Sequence, residues 1–244
     1  MQEVVEVDNY VAIVGCYNPK NGISIHRCDK SAVLATYQND WYYYPVTPNE
    51  CASKIKGCRM KEDKLAIVSM APDTYYGGAT LLASVMRVFD LNTMDNINAQ
   101  LVVTGLKDEP KDILYMHGPD SLILLNPIRG TTFNCFITLD PNSIGGYAAR
   151  CWYNPALNYN SLDRATATHY IASGGEFWCI KDATTLSNAG TCYRNETIAV
   201  KPIVLAPKIK GTCLSFNILM GTARTVPPPN INTEPLTPTC VTFY

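Results

Sequence analysis

A chain of 244 residues with a formal net charge of −1 can bury a sizeable core, and it has no basic excess with which to neutralise phosphates, which excludes charge-driven nucleic-acid binding. Apolar residues make up 47% of it and charged ones only 17%, below the roughly 25% of ordinary soluble domains, so Thr, Asn, Ser and Tyr supply much of the polar surface. No apolar run reaches the ~18 residues of a membrane span, because the best of them, 81–89, is interrupted by Arg87.

The first six residues, Met1-Gln2-Glu3-Val4-Val5-Glu6, are too acidic and too poor in apolar side chains to be a secretion signal. From there the pattern is strand-rich. Runs at 10–16, 23–28, 65–70, 81–91, 100–104, 112–116, 121–125, 132–139, 147–153, 168–172, 176–180, 197–205 and 212–220 are rich in Val, Ile, Leu, Tyr and Thr. Turn-forming clusters separate them, among them Asn18-Pro19-Lys20-Asn21-Gly22, Gly118-Pro119-Asp120 and Gly145-Gly146. Residues 81–91 also fit a helix but lack a cap and a stop signal, and 16 prolines with 15 glycines leave little room for helices. The expected class is all-β.

Ten cysteines fall into five sequence neighbours: Cys16 with Cys28, Cys51 with Cys58, Cys135 with Cys151, Cys179 with Cys192, and Cys213 with Cys240. An even count at short separations reads as a framework of local disulfides, which places the chain in the secretory pathway as an extracellular or surface ectodomain. Without an export signal it is expected to be a mature form or an excised ectodomain. The sequon Asn195-Glu196-Thr197 marks Asn195 as a glycosylation site. Residues 226–244, beginning Val226-Pro227-Pro228-Pro229, lack strand patterning and read as a proline-rich strap ending in a closing strand, with 1–225 as one β-rich domain of sequential hairpin units.

Four segments repeat one pattern, an apolar strand that exits through Asp: 25–29, 87–90, 136–140 and 178–182. A small polar residue follows each, at Ser31, Thr93, Asn142 and Thr184, and an Asp in that place can accept its own downstream amides and start a turn. Asp29, Asp90, Asp140 and Asp182 succeed one another at 61, 50 and 42 positions, near the 40–50 of a propeller blade. With its cysteines and low charge, the chain resembles disulfide-bonded extracellular β-propellers, in the general character of viral attachment glycoprotein heads. The resemblance implies four or five blades, or part of a larger propeller. A disulfide-bonded β-sandwich or barrel is the alternative, because its hairpins would be spaced in a similar way.

No catalytic residue is assigned. His26, His117 and His169 lack metal spacing, and no nucleophile elbow, dinucleotide fingerprint or P-loop occurs, so no cofactor or metal is expected. The carboxylates Asp40, Asp73, Asp120, Asp163 and Glu176 would serve a secreted, sialidase-like glycan hydrolase only if two of them met beside an arginine cluster. Aromatic segments carry the stronger signal. Tyr37, Trp41, Tyr42, Tyr43 and Tyr44 lie within nine residues, and Tyr75, Tyr76, Trp152 and Tyr153 repeat the flavour. Such side chains offer large rigid contact area with a polar handle, so these nine are the candidate ligand-binding residues. The expected function is a surface-exposed module that binds a glycan or a cell-surface protein receptor, with a structural or coat assembly protein as a further alternative.

Overall fold

The computed structural model describes residues 2–17, 22–31, 40–46, 50, 55–72, 82–103, 110–127, 134–153, 158–174, 177–182 and 194–211. The expected strand at 212–220 and the strap at 226–244 lie outside them. Within the described residues all regular structure is β, and residues 81–91 resolve in favour of a strand, Leu82–Asp90.

The strands follow one another as antiparallel meanders. β1 (Gln2–Glu6), β2 (Tyr10–Tyr17), β3 (Gly22–Asp29) and β4 (Asp40–Pro45) form the first, with the short β17 (Ile209–Lys210) added beside β4. β5 (Lys56–Arg59), β6 (Lys64–Pro72), β7 (Leu82–Asp90) and β8 (Asp95–Val102) form the second, and β9 (Asp112–Met116), β10 (Ser121–Pro127), β11 (Asn134–Leu139) and β12 (Tyr147–Tyr153) the third. β13 (Ser161–Arg164), β14 (His169–Gly174) and β15 (Phe177–Asp182) make a three-stranded sheet. β16 (Arg194–Pro202) pairs with β8 on one side and β12 on the other, which fuses the second and third meanders into one nine-stranded sheet.

That sheet curls until β5 and β9 approach each other, giving a nearly closed barrel. Every neighbouring pair in it is antiparallel, so an odd count of nine leaves β5 and β9 running in the same direction at the seam. Alternation along each strand sends one set of side chains inward, and all nine strands contribute to a single interior cluster, from Cys58 and Val68 through Met86, Leu124 and Ile137 to Cys151 and Ile198. Asn98 and Gln100 close one end: their amides donate to the carbonyls of Asp140, Pro141 and Ser143, and Gln100 Oε1 accepts Tyr147 Oη at 3.0 Å.

The other two sheets cover parts of the barrel's outside. The inner face of the first sheet (Val5, Val14, Ile23, Ile25, Tyr44) packs on Leu65, Ile67 and Phe89 of β6 and β7. Gly57 permits that approach, since a Cβ there would lie 3.0 Å from Val5 Cγ2. The three-stranded sheet lays Tyr170 and Ala172 on Ile123, Leu125 and Phe136. Asp112 ties it to the barrel by accepting the Leu162 amide at 2.7 Å, and burial raises the Asp112 pKa.

The Asp repeat has a structural counterpart. Asp29, Asp90 and Asp182 end the third strand of their meanders, and Asp140 directly follows the third strand of its own. The Oδ1 atoms of Asp29, Asp90 and Asp140 accept the amides of Ser31, Asn92 and Asn142, each at 2.8 Å. What is established is an all-β chain with a nearly closed barrel-like sheet; separate propeller blades are not shown.

The local disulfide framework requires correction where the cysteines are described. Cys28, Cys58, Cys135 and Cys151 are thiols. In the β2–β3 register Cys16 faces Ile23 whereas Cys28 faces Val11, five rungs along, or roughly 17 Å at ~3.4 Å per residue. A disulfide needs Cα atoms about 4.4–6.8 Å apart. Cys135 faces Tyr153 while Cys151 faces Ile137, a diagonal of about 7–8 Å, and both thiols serve as small apolar core side chains. Cys58 is likewise buried, which pushes its thiol pKa well up. Cys16 is disulfide-bonded, to none of these four. Cys51, Cys192, Cys213 and Cys240 lie outside the described residues, and of Cys179 only the backbone is described.

Among the described residues one buried ion pair joins β7 to Glu50. Arg87 on β7 (3% exposed) donates from Nε and Nη2 to the two oxygens of fully buried Glu50, at 2.8 and 3.1 Å. Its Nη1 donates to Asn96 Oδ1 and to the Val204 carbonyl. Removing one partner of such a pair strands a charge in a low-dielectric site, so Glu50→Gln is expected to cost about 3–5 kcal/mol in urea unfolding. The apolar double variant Glu50→Leu/Arg87→Met should recover much of that loss; a Glu50→Gln protein as stable as the parent would contradict the assignment.

Candidate functional site

The aromatic segment at 37–45 is a strand over Asp40–Pro45, and its alternation divides the tyrosines. Tyr44 turns inward and is fully buried, with its hydroxyl donating to the Met94 carbonyl at 2.6 Å and its ring edge-on to Phe89 at 4.7 Å. Tyr43 is also buried, and Tyr153 lies inside the barrel cluster. These three are core residues that a partner cannot reach, a correction to the expected binding set. Tyr37, Tyr75 and Tyr76 lie outside the described residues; Trp152 is placed on β12 by its backbone alone, and the sequon's Asn195 lies opposite it on β16.

Trp41 and Tyr42 remain at the surface, each half-buried. Register builds a row around Trp41: Val4 faces Ile13, Ile13 faces His26, and His26 faces Trp41, so four strands present these side chains on the outer face of the first sheet. Val4 is 66% exposed, and Ile13 and His26 are half-buried. The His26 and Trp41 rings stack at 5.9 Å and 25°. Gly211 donates its amide to the Trp41 carbonyl at 2.9 Å and lies so close under the indole that a Cβ would fall 1.7 Å from a ring carbon. Tyr42, on the inner face, has the Lys208 and Lys210 ammonium groups 6.0 and 5.9 Å from its ring centroid, at the outer limit of cation–π attraction.

A second feature lies on the barrel's outer face, a cleft of about 530 Å³. Asp120, Ser121, Thr138, Asp140, Asn142, Tyr147 and Arg150 supply its polar lining. Asp120 occupies the left-handed region (φ 50°), which Asp tolerates better than most residues, at the turn before β10. Its carboxylate accepts from Lys61 Nζ at 2.8 Å, from Tyr115 Oη and from Asn142 Nδ2, and the Lys61 and Tyr115 hydrogen bonds hold its pKa below the ordinary value. Asp120 is therefore ionised at neutral pH and is no proton donor. Burial pushes the Tyr147 hydroxyl up to about 12, so that group stays neutral.

Other charged and polar side chains find partners within the fold. Lys56, Arg59, Lys61 and Lys64 make ion pairs with Glu3, Asp8, Asp120 and Glu62, so these four cations are largely neutralised. Asp63, buried, accepts from both the amide and the side chain of Asn9. Arg27 donates to the Leu91 and Asn92 carbonyls, Arg59 pairs with Asp8 and Arg87 with Glu50, three separate places. His117 sits edge-on to Tyr115, and His169 Nδ1 meets the hydroxyls of Thr166 and Thr168 in a turn. Among the described residues no helix is long and apolar enough to cross a membrane. Val4, Ile13, Ser121, Thr138 and Tyr147 escaped sequence reasoning because isolated Val, Ile, Ser, Thr and Tyr residues carry no signal until register aligns them. Comparison with family models, curated proteins and solved structures finds no match to this chain.

Burial lowers the His26 pKa from its ordinary 6.5, so the unfolded chain takes up a proton more readily than the folded one. Stability from this group is complete above 6.5 and falls as acidification passes through that value. His117, lowered mainly by burial, acts in the same direction. Thermal melting followed from about pH 7.5 to 5.5 should show a falling midpoint whose slope is reduced in His26→Phe; an equal slope in both proteins would show that His26 is not buried as described.

Proposed function

We propose that the chain is an extracellular or surface-exposed binding module that engages a cell-surface receptor, protein or glycan, through the outer face of its first sheet. The observation that carries this reading is the cross-strand row Val4–Ile13–His26–Trp41. An apolar row ending in a stacked imidazole–indole pair offers rigid, low-entropy contact area, and neutral His26 adds no charge to desolvate at pH 7. A protein surface is favoured over a sugar here, because Gly211 already occupies one side of the indole and the row runs across four strands.

The finer architectural reading belongs to the same proposal. Successive antiparallel meanders, each with an Asp at or just after the end of its third strand, support sequential blade-like units of an incomplete propeller. Secretion, glycosylation at Asn195 and a viral attachment origin are carried by composition and motif alone.

The test is binding of the fluorescently labelled full chain to intact cells, before and after protease and glycosidase treatment. Trp41→Ala and His26→Ala should each weaken binding about tenfold or more while far-UV spectra and melting stay near those of the parent. Equal binding by both folded variants removes the row from the receptor contact. Elution of the parent as an oligomer, reverting to monomer in Trp41→Ala, would instead make the row a subunit contact of an assembly protein.

A further inference from the structure

We propose that the cleft on the outer face of β10, β11 and β12 is a second binding site, for one sugar unit of a neutral glycan. It borrows from the proposed function only the idea of a binding module and shares no residue with the Trp41 row. In the strand register Ile123 faces Thr138, and the β11–β12 pairing of Ile137 with Cys151 carries Thr138 alongside Arg150. Thr138 and Ser121 therefore face outward beside Arg150, next to the area covered by the three-stranded sheet. A volume of about 530 Å³ falls inside the roughly 300–1,000 Å³ span of small-ligand sites.

Two observations point to an occupant. Ser121 is 7% exposed, and the Ser121 Oγ and Thr138 Oγ1 atoms are buried without a hydrogen-bond partner. Leaving two hydroxyls unmatched in one cleft costs stability that a valine and an alanine would not. Arg150, exposed in the same cleft, makes no ion pair among the described residues.

Charge then selects the ligand. Lys61, just outside the cleft, neutralises Asp120, and Arg150 offsets Asp140, whose Oδ1 accepts the Asn142 amide, so the lining taken together with Lys61 carries no net charge. An anion or a cation gains nothing overall. A vicinal diol does: adjacent hydroxyls accept from a guanidinium, donate to a carboxylate, and pair in either sense with Ser121 and Thr138. Tyr147 is committed through its hydroxyl to Gln100 and to the Asp140 amide and packs its ring on the barrel interior, so Pro119 and Ala148 supply the apolar wall for the C–H face of a pyranose. A free amino acid would satisfy Arg150 and Asp140 but leave both hydroxyls unmatched.

Saturation-transfer NMR on the full chain, with the methyl glycosides of glucose, galactose, mannose and N-acetylglucosamine as probes at millimolar concentration, tests this directly. At least one glycoside should bind, with affinity reduced roughly tenfold by Arg150→Gln and roughly three- to tenfold by Thr138→Val. Thr138→Val keeps the shape and removes an unmatched hydroxyl, so it should melt at or above the parent temperature while losing affinity, a combination that a purely structural threonine would not give. Trp41→Ala should leave glycoside binding unchanged. The inference is overturned if no glycoside shows transfer, if both cleft variants bind as the parent does, or if glycine binds in their place. Loss of glycoside binding in Trp41→Ala would move the sugar to the other surface, sinking this inference and sparing the proposed function.

Discussion

The buried pairing of Arg87 with Glu50 fixes more of this molecule than any other polar contact described. A guanidinium on the outside of a barrel strand, covered by other chain segments, is tolerable only when its charge and its donors are matched. Glu50 takes two of those donors, and Asn96 and the Val204 carbonyl take another. Asn96 then accepts the Ala206 amide, and Lys208 reaches the Thr93 carbonyl and Asp95. Segment 203–208 is thereby led along β8 to the short β17, which pairs with Tyr42 and Tyr43 and places Gly211 under Trp41. The geometry of the surface tryptophan thus descends, bond by bond, from a charge pair hidden on β7.

The second organising constraint is geometric. Two four-stranded meanders joined by one strand make nine, and nine antiparallel neighbours cannot close without bringing two parallel strands together. The inside of such a sheet is filled by alternate side chains, but its outside is apolar over β6–β7 and β9–β11 and needs covers. The first sheet and the three-stranded sheet supply them. Both candidate binding features follow from this layering: one is the far face of a covering sheet, and the other is the strip of barrel next to a cover.

Much of the strand content was legible because runs such as those at 112–116 and 147–153 are bounded by turn chemistry and coincide with β9 and β12. The Asp repeat was legible for the same reason, since Asp29, Asp90 and Asp140 act on amides two residues away, a local interaction that needs no tertiary context. Elements that depend on partners were not. β5 (Lys-Gly-Cys-Arg) and β13 (Ser-Leu-Asp-Arg) have no apolar alternation of their own and exist because β6 and β14 pair with them. The cysteines misled for a related reason: proximity in sequence says nothing about rungs of a ladder, and Cys16 and Cys28 sit at opposite ends of one. Among the candidate site residues, the tyrosines of β4 could not be sorted by composition, because alternation put Tyr44 in the core and Trp41 outside.

The central claim is that the outer face of the first sheet is a contact surface. Val4 examines it most cleanly, being the most exposed member of the row and unable to disturb the core. Binding of the Val4→Asp chain to intact cells is the direct measurement. Unchanged melting with cell binding reduced at least about tenfold is the predicted result, since a carboxylate would be desolvated at the contact; unchanged melting with full binding would contradict the account.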